Sequence, residues 1–97
     1  MSKTIKDRVL TLCDIALSEW RCVSKSGNRI VLNKHVHYIT LTVHRFWKIV
    51  DIQIDEDTKT MFNCSYGLDK QTIDDLVEKV NARDCEVLEE LLNGFGV

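Results

Sequence analysis

Residues 36–54 read Val-His-Tyr-Ile-Thr-Leu-Thr-Val-His-Arg-Phe-Trp-Lys-Ile-Val-Asp-Ile-Gln-Ile, and this stretch decides the fold. It contains no Gly or Pro and is rich in the β-branched and aromatic side chains that favour strands. Apolar residues occupy every second position in two rows of opposite parity: Ile39, Leu41 and Val43, then Val50, Ile52 and Ile54. Strict alternation over this length is typical of half-buried antiparallel strands.

The change of parity predicts a turn inside the stretch. A straight strand cannot change parity, because a slip of one residue moves every side chain to the other face of the sheet. We therefore expect a tight turn or a bulge near residues 45–47, with one strand before it and one after. The positions facing away from the apolar rows are polar: Tyr38, Thr40, Thr42 and His44 before the turn, Asp51 and Gln53 after it.

The flanking segments predict three more strands and an N-terminal helix. Apolar residues at intervals of three or four favour a helix over residues 3–20, with Ser2 or Thr4 as its cap. Residues 21–25 and 29–33 form a predicted hairpin around Ser26-Gly27-Asn28, where Gly and Asn accept a positive φ. A turn follows at residues 33–35, and a loop at residues 55–59 leads into a strand over residues 60–66.

The C-terminal third is predicted to be helical. Asp69 or Thr72 can cap a helix that carries Ile73, Leu76, Val77 and Val80 at helical spacing. A break is expected at residues 81–84, and a second helix over residues 86–92. This second helix holds more apolar surface than one small sheet face needs, so a homodimer through it is possible.

The predicted fold class is therefore α+β, as one domain over residues 1–97. We expect an N-terminal helix, an antiparallel meander of four to five strands, and a C-terminal helix or helix pair packed on one sheet face. The alternative is an open sheet that curls into a half-barrel around the helices.

Composition places the chain among ordinary globular proteins. It has 97 residues, 44% of them apolar and 29% charged, and no apolar run long enough to span a bilayer. The N-terminus leads into a charged amphipathic helix and not an apolar signal segment, which favours a cytoplasmic protein that does not engage membranes. The four cysteines are singly placed, so buried reduced thiols are expected in preference to a disulfide scaffold: Cys13, Cys22, Cys64 and Cys85.

Charge is distributed unevenly along the chain although the net charge is only −2. Residues 21–48 carry six basic side chains, all three histidines and no acid, whereas residues 49–97 carry twelve acids and four bases. This asymmetry is the most informative functional feature of the sequence.

The sequence contains few candidates for chemistry. A zinc site would need three or four converging ligands, and His35, His37 and His44 with Cys22 and Cys64 lack the usual spacings, so no metal or cofactor is predicted. Cys64 could pair with His37 or His44 across strands as a nucleophile and base, but nothing selects such a pair. Because the common catalytic motifs are also absent, we expect a non-enzymatic protein.

A binding function remains, and two classes of partner are considered. We favour a protein partner, engaged in the manner of a small inhibitor, immunity or adaptor protein through an acidic surface: Asp55, Glu56 and Asp57, with Asp74, Asp75 and Glu78 as a second group. The alternative is a nucleic-acid-binding domain that uses the basic and aromatic stretch 20–48: Arg21, Lys25, Arg29, Lys34, Arg45, Trp47 and Lys48. The acids could also serve solubility alone, with the basic strands facing the acidic helices inside the fold.

Overall fold

The computed structural model describes residues 4–83 and residue 85. Its elements follow the chain as α1 (Ile5–Glu19), β1 (Arg21–Ser26), β2 (Arg29–Lys34), β3 (His37–His44), β4 (Ile49–Glu56), β5 (Lys59–Gly67) and α2 (Lys70–Ala82). The predicted α+β class and meander are confirmed, with five strands. The second helix predicted over residues 86–92, and the homodimer through it, lie outside the described residues.

The sheet is an antiparallel meander in which strand order equals chain order, from β1 to β5. The predicted change of parity is a turn at residues 45–48, after which β4 returns beside β3. Val43 then lies opposite Val50, and Ile39 lies opposite Ile54, so both apolar rows reach the same face. The sheet stays open, with β1 and β5 as its edges.

Both helices pack on this apolar face and form one core with it. The largest fully buried side chains come mainly from the middle of the sheet and from α2: Ile30, Leu32, Ile39, Leu41, Val50, Ile52 and Ile73. Each such side chain contributes roughly 1.5–3 kcal/mol when it leaves water. From the helices, Ala16 and Leu17 of α1 and Leu76 and Val80 of α2 complete the core.

Side-chain caps fix where the helices begin. Thr4 Oγ1 accepts a hydrogen bond from the Asp7 N–H at 3.1 Å, and Asp69 Oδ1 accepts one from the Thr72 N–H at 3.0 Å. Each cap satisfies one of the N–H groups that have no partner within the first turn. Of the alternatives that the sequence left open, Thr4 and Asp69 are therefore the caps.

The end of α2 is held by the first strand. Helix α2 stops at Ala82, within the predicted break. Lys25 Nζ donates to the carbonyl oxygens of Asn81 at 3.0 Å and Arg83 at 2.8 Å, where the helix leaves carbonyls without partners. Neither described helix is long and apolar enough to cross a lipid bilayer.

Candidate functional site

Two aromatic side chains project from the turn between β3 and β4. This aromatic turn consists of Arg45, Phe46, Trp47 and Lys48. Phe46 is 83% exposed and Trp47 is 71% exposed, more than any other large apolar residue that the structure describes. Their rings meet edge to face, with centroids 5.3 Å apart at an interplanar angle of 89°. Such rings are normally buried, so their exposure together marks a candidate contact surface.

The backbone of the aromatic turn is anchored at Lys48. Lys48 adopts a left-handed backbone conformation with a φ of 57°, and its carbonyl accepts a hydrogen bond from the Leu68 N–H at 2.8 Å. On the other side, Arg45 Nε lies 3.5 Å from Asp74 Oδ1 on α2. The Lys48 hydrogen bond anchors the backbone of the turn, which lowers the entropic cost of binding, whereas the largely exposed Arg45–Asp74 pair adds little.

A small apolar cavity opens beside the aromatic turn. This valine pocket has a volume of about 190 Å³, with walls from Val43 on β3 and from Val77 and Val80 on α2. Its rim includes Arg45 and the turn at Gly27 and Asn28 between β1 and β2. The turn is tied to the wall, because the Val43 N–H donates to the Asn28 carbonyl at 2.9 Å and Asn28 Nδ2 donates to the Val43 carbonyl at 3.1 Å.

The predicted acidic residues fall into two groups at opposite ends of the sheet. Asp55, Glu56 and Asp57 lie at the turn between β4 and β5. Asp74 reaches the aromatic turn at the other end. The length of β3, which joins these ends, is roughly 25 Å. The six acids therefore do not form one continuous surface.

The local partners of the acids differ as well. Asp55 accepts hydrogen bonds from Gln53 Nε2 at 3.1 and 3.0 Å. Asp75 accepts one from Gln71 Nε2 at 3.1 Å, and Glu78 is exposed on α2. Of the predicted acids, Asp74 on α2 is the one that the structure places at the aromatic turn, through Arg45.

The predicted basic residues are scattered over the fold. Lys25 points to the helix side of the sheet and binds the end of α2. Arg29 lies on the uncovered face, opposite Thr42. Arg21 and Lys34 lie at the end of the sheet that holds the turn between β4 and β5, and Arg45 and Lys48 lie at the other end.

The two charge blocks of the sequence stay on separate parts of the sheet, β1–β3 and β4–β5, and meet where β3 pairs with β4. Because each strand returns beside its predecessor, Glu56 on β4 lies opposite His37 on β3, whose other neighbour is Lys34. At the far end, Arg45 pairs with Asp74. Acids and bases thus meet at both ends of the sheet.

The sheet face opposite the helices is polar, as predicted for Thr40, Thr42 and His44. At its centre Asp51 on β4 joins two neighbouring strands. Its Oδ2 lies 2.7 Å from His44 Nε2, and its Oδ1 accepts a hydrogen bond from the Ser65 hydroxyl. The Ser65 hydrogen bond, followed by that from His44, lowers the pKa of Asp51 below its ordinary value.

The arrangement of these three groups differs from that of a nucleophilic triad. In a triad the imidazole lies between the hydroxyl and the carboxylate and accepts the hydroxyl proton. Here the Asp51 carboxylate lies between Ser65 and His44. The cluster therefore ties β3, β4 and β5 together on the polar face.

The cysteines and histidines do not converge within the part of the chain that the structure describes. Cys64 faces the helix side and His44 faces the opposite side, while His37 lies roughly 16 Å from Cys64 along and across the strands. Cys22 and Cys64 occupy the two edge strands, roughly 19 Å apart. Among residues 4–83 and 85 there is no group of three side chains able to hold a metal ion.

The thiols are free, and most of them are buried. Cys13, Cys22 and Cys85 are buried, and Cys64 is partly exposed. Burial raises the pKa of Cys13 to about 12, and burial together with the neighbouring Cys85 thiol raises that of Cys22 to about 11. Both thiols are therefore protonated near neutral pH, and a protonated thiol is a poor nucleophile.

No protein family, no characterised protein and no solved structure was found to match the chain. Its function must therefore be inferred from the geometry of its own residues.

Sequence reasoning located the aromatic turn but missed the valine pocket. The residues of the pocket come from three distant segments, around positions 27, 43 and 77–80, and no local pattern links them. The contact between residues 28 and 43 follows from the pairing of β2 with β3, in which Arg29 lies opposite Thr42. The contribution of α2 depends on how the helix crosses the sheet, which periodicity alone does not determine.

Proposed function

We propose that this chain is a non-enzymatic protein-binding module of the small inhibitor or adaptor class, acting inside the cell. Its main contact is the aromatic turn. The observation that carries the proposal is the exposure of Phe46 and Trp47 on a turn whose backbone is anchored at Lys48. Aromatic side chains that become buried at the centre of an interface supply much of its binding energy.

The acids of α2 are proposed to guide the partner to this anchor. Asp74 is joined to Arg45, and Asp75 and Glu78 follow it on the same helix. An acidic patch attracts a basic partner over a distance of about 8–10 Å at physiological salt and orients it. The acids Asp55, Glu56 and Asp57 form a separate contact at the other end of the sheet, available only to a partner that spans its length.

The proposal is tested by affinity capture from a nuclease-treated lysate of the source cells. We expect the unaltered protein to retain a stoichiometric protein partner, and the double variant Phe46→Ala/Trp47→Ala to lose it. Met61→Ala is the matched control, because Met61 is 61% exposed on β5 and lies away from the aromatic turn. Equal capture by both variants would contradict the assignment of the anchor.

A second candidate, nucleic-acid binding, is favoured by one observation. Trp47 is available to stack on an unpaired base, with Arg45 and Lys48 beside it to contact phosphates. Two features weigh against this candidate: Arg45 already pairs with Asp74, and Lys25 is engaged at the end of α2. The other predicted cations lie on different faces or ends of the sheet.

Retention on single-stranded oligonucleotides separates the two candidates. Binding that weakens steeply with salt and requires Trp47 would place nucleic acid first, because phosphate contacts release counterions. No retention at about 50 mM salt would remove this candidate, since non-specific binding is strongest at low salt.

A further inference from the structure

We propose that the aromatic turn and the valine pocket together form a self-complementary interface, so that two copies of the chain dimerise about a twofold axis. The inference goes beyond the proposed function by naming a second copy of the chain as a partner of the aromatic turn. In such a dimer Phe46 of each copy enters the valine pocket of the other, and Trp47 packs against the rim.

The first argument is that one surface carries both a projection and a cavity. A twofold interface uses the same patch on both copies, so the patch must contain both halves of every contact. Phe46 projects from the residue next to Arg45, and Arg45 is itself part of the pocket rim. The projection and the cavity therefore lie in one patch, as a twofold arrangement requires.

The second argument is size and chemistry. An apolar cavity of about 150 Å³ admits a benzene molecule. The valine pocket is open to solvent on one side, has walls from Val43, Val77 and Val80, and at about 190 Å³ is large enough to receive the phenyl ring of Phe46. Filling the pocket would also remove from water a ring that is 83% exposed in a single copy.

The third argument is charge. The patch holds cations in the aromatic turn and anions on α2, with Arg45 and Asp74 3.5 Å apart at their meeting point. A patch with one sign of charge would repel its own copy, whereas a mixed patch allows Lys48 of one copy to face Asp75 or Glu78 of the other. A basic partner protein would complement only the acids of the patch, whereas a second copy complements both signs.

Sedimentation equilibrium over a range from about 1 µM to 1 mM tests the proposal. We expect a monomer–dimer equilibrium for the unaltered protein and for Met61→Ala, the control with an exposed apolar side chain elsewhere. For Phe46→Ala/Trp47→Ala the dimer dissociation constant should rise at least a hundredfold, because each aromatic contact is made twice in a twofold dimer. A change at these exposed positions should leave the fold intact, which circular dichroism verifies.

A mixing experiment tests the reciprocal insertion itself. Val77→Phe fills the valine pocket from within. This variant keeps Phe46 and Trp47 but has no open pocket, so it should be monomeric on its own. The double variant Phe46→Ala/Trp47→Ala keeps its cavity but lacks the projection. Mixed in equal amounts, the two should form a heterodimer that retains one of the two insertions, detected by attaching a fluorescent label to one of them.

The outcomes separate this inference from the proposed function. A protein that stays monomeric at 1 mM, or a dimer unaffected by Phe46→Ala/Trp47→Ala, would overturn the twofold interface. Failure of the mixed variants to associate would overturn the reciprocal insertion. If the chain were monomeric and a different protein bound through the aromatic turn, the proposed function would stand and this inference would fail. If the dimer depended on the aromatic turn and the chain captured no other protein, the twofold interface would stand and the inhibitor or adaptor function would fail.

Discussion

At the scale of single residues, Asp51 shows how one carboxylate organises the polar sheet face. It accepts hydrogen bonds from Ser65 on β5 and His44 on β3, so it links both strands that flank its own. Both bonds favour the charged form of the carboxyl, which is why its pKa is lowered. The side chain remains 42% exposed, so solvent screens much of this effect.

The lowered pKa predicts a pH dependence of stability. A carboxyl whose pKa is lower in the folded state stabilises the fold above its unfolded pKa, near 3.9, and this contribution is lost as the pH falls through the folded pKa. Ser65→Ala removes the larger cause, so we expect a higher Asp51 pKa and a smaller loss of stability below about pH 4. Carboxyl NMR titration measures the pKa directly; equal values in both proteins would contradict the role given to Ser65.

The two described glycines provide a matched pair of residue-scale substitutions. Gly27 has a φ of +57°, whereas Gly67 does not lie in the left-handed region, and a Cβ at either site would meet no other atom within 4 Å. Any difference between them therefore comes from the backbone. Gly27→Ala should lower the free energy of unfolding by about 1 kcal/mol, and Gly67→Ala should change it by less than about 0.5 kcal/mol. Urea unfolding measures both, and equal costs would show that backbone conformation is not the cause.

At the scale of elements, the attachment of α2 to β1 depends on Lys25. Its ammonium group lies at the end of the helix and binds two carbonyls that have no partner within α2. A second lysine, Lys79, lies 2.8 Å from Asp14 on α1, but both of these side chains are about half exposed. The two lysines therefore make one strong attachment and one weak attachment between elements.

Replacing each lysine by methionine compares these attachments. Lys25→Met should lower the free energy of unfolding by about 1.5–3 kcal/mol, because hydrogen bonds to a charged group at a helix end are lost. Lys79→Met should cost less than about 1 kcal/mol, since exposed ion pairs contribute little. Both are measured by urea unfolding with an unchanged m value. A larger cost for Lys79→Met would reverse the ranking.

The positions of the helices and strands could be predicted from the sequence for a physical reason. The alternation around Val43 and Val50 changes parity at one place only, and a turn is the simplest structure that satisfies both rows. Helix caps and turn residues are local signals, so Thr4, Gly27 and Asp69 could also be identified. The side of the sheet to which Lys25 points could not be predicted. Strand β1 carries a bulge between Cys22 and Ser24, and this bulge reverses the side to which the later residues of the strand point.

At the scale of the whole molecule, the topology decides where the two charge blocks meet. Because strand order equals chain order, residues 21–44 form one part of the sheet and residues 49–67 the other, and the blocks meet where β3 pairs with β4. Tryptophans are more often buried in cores, so the exposure of Trp47 could not be predicted from local sequence and follows from the three-dimensional packing around the turn.

The strand order also has a consequence for the synthesis of the chain. Every strand pairs with its immediate predecessor, and the chain contains no proline, so the hairpins can form within microseconds of their emergence without waiting for prolyl isomerisation. Helix α2, however, is made after the sheet is complete, and its 13 residues take on the order of a second to translate. During that interval the apolar face over β3 lacks its cover. A nascent sheet with an uncovered apolar face is the form most open to aggregation or chaperone capture, and docking of α2 ends that exposure.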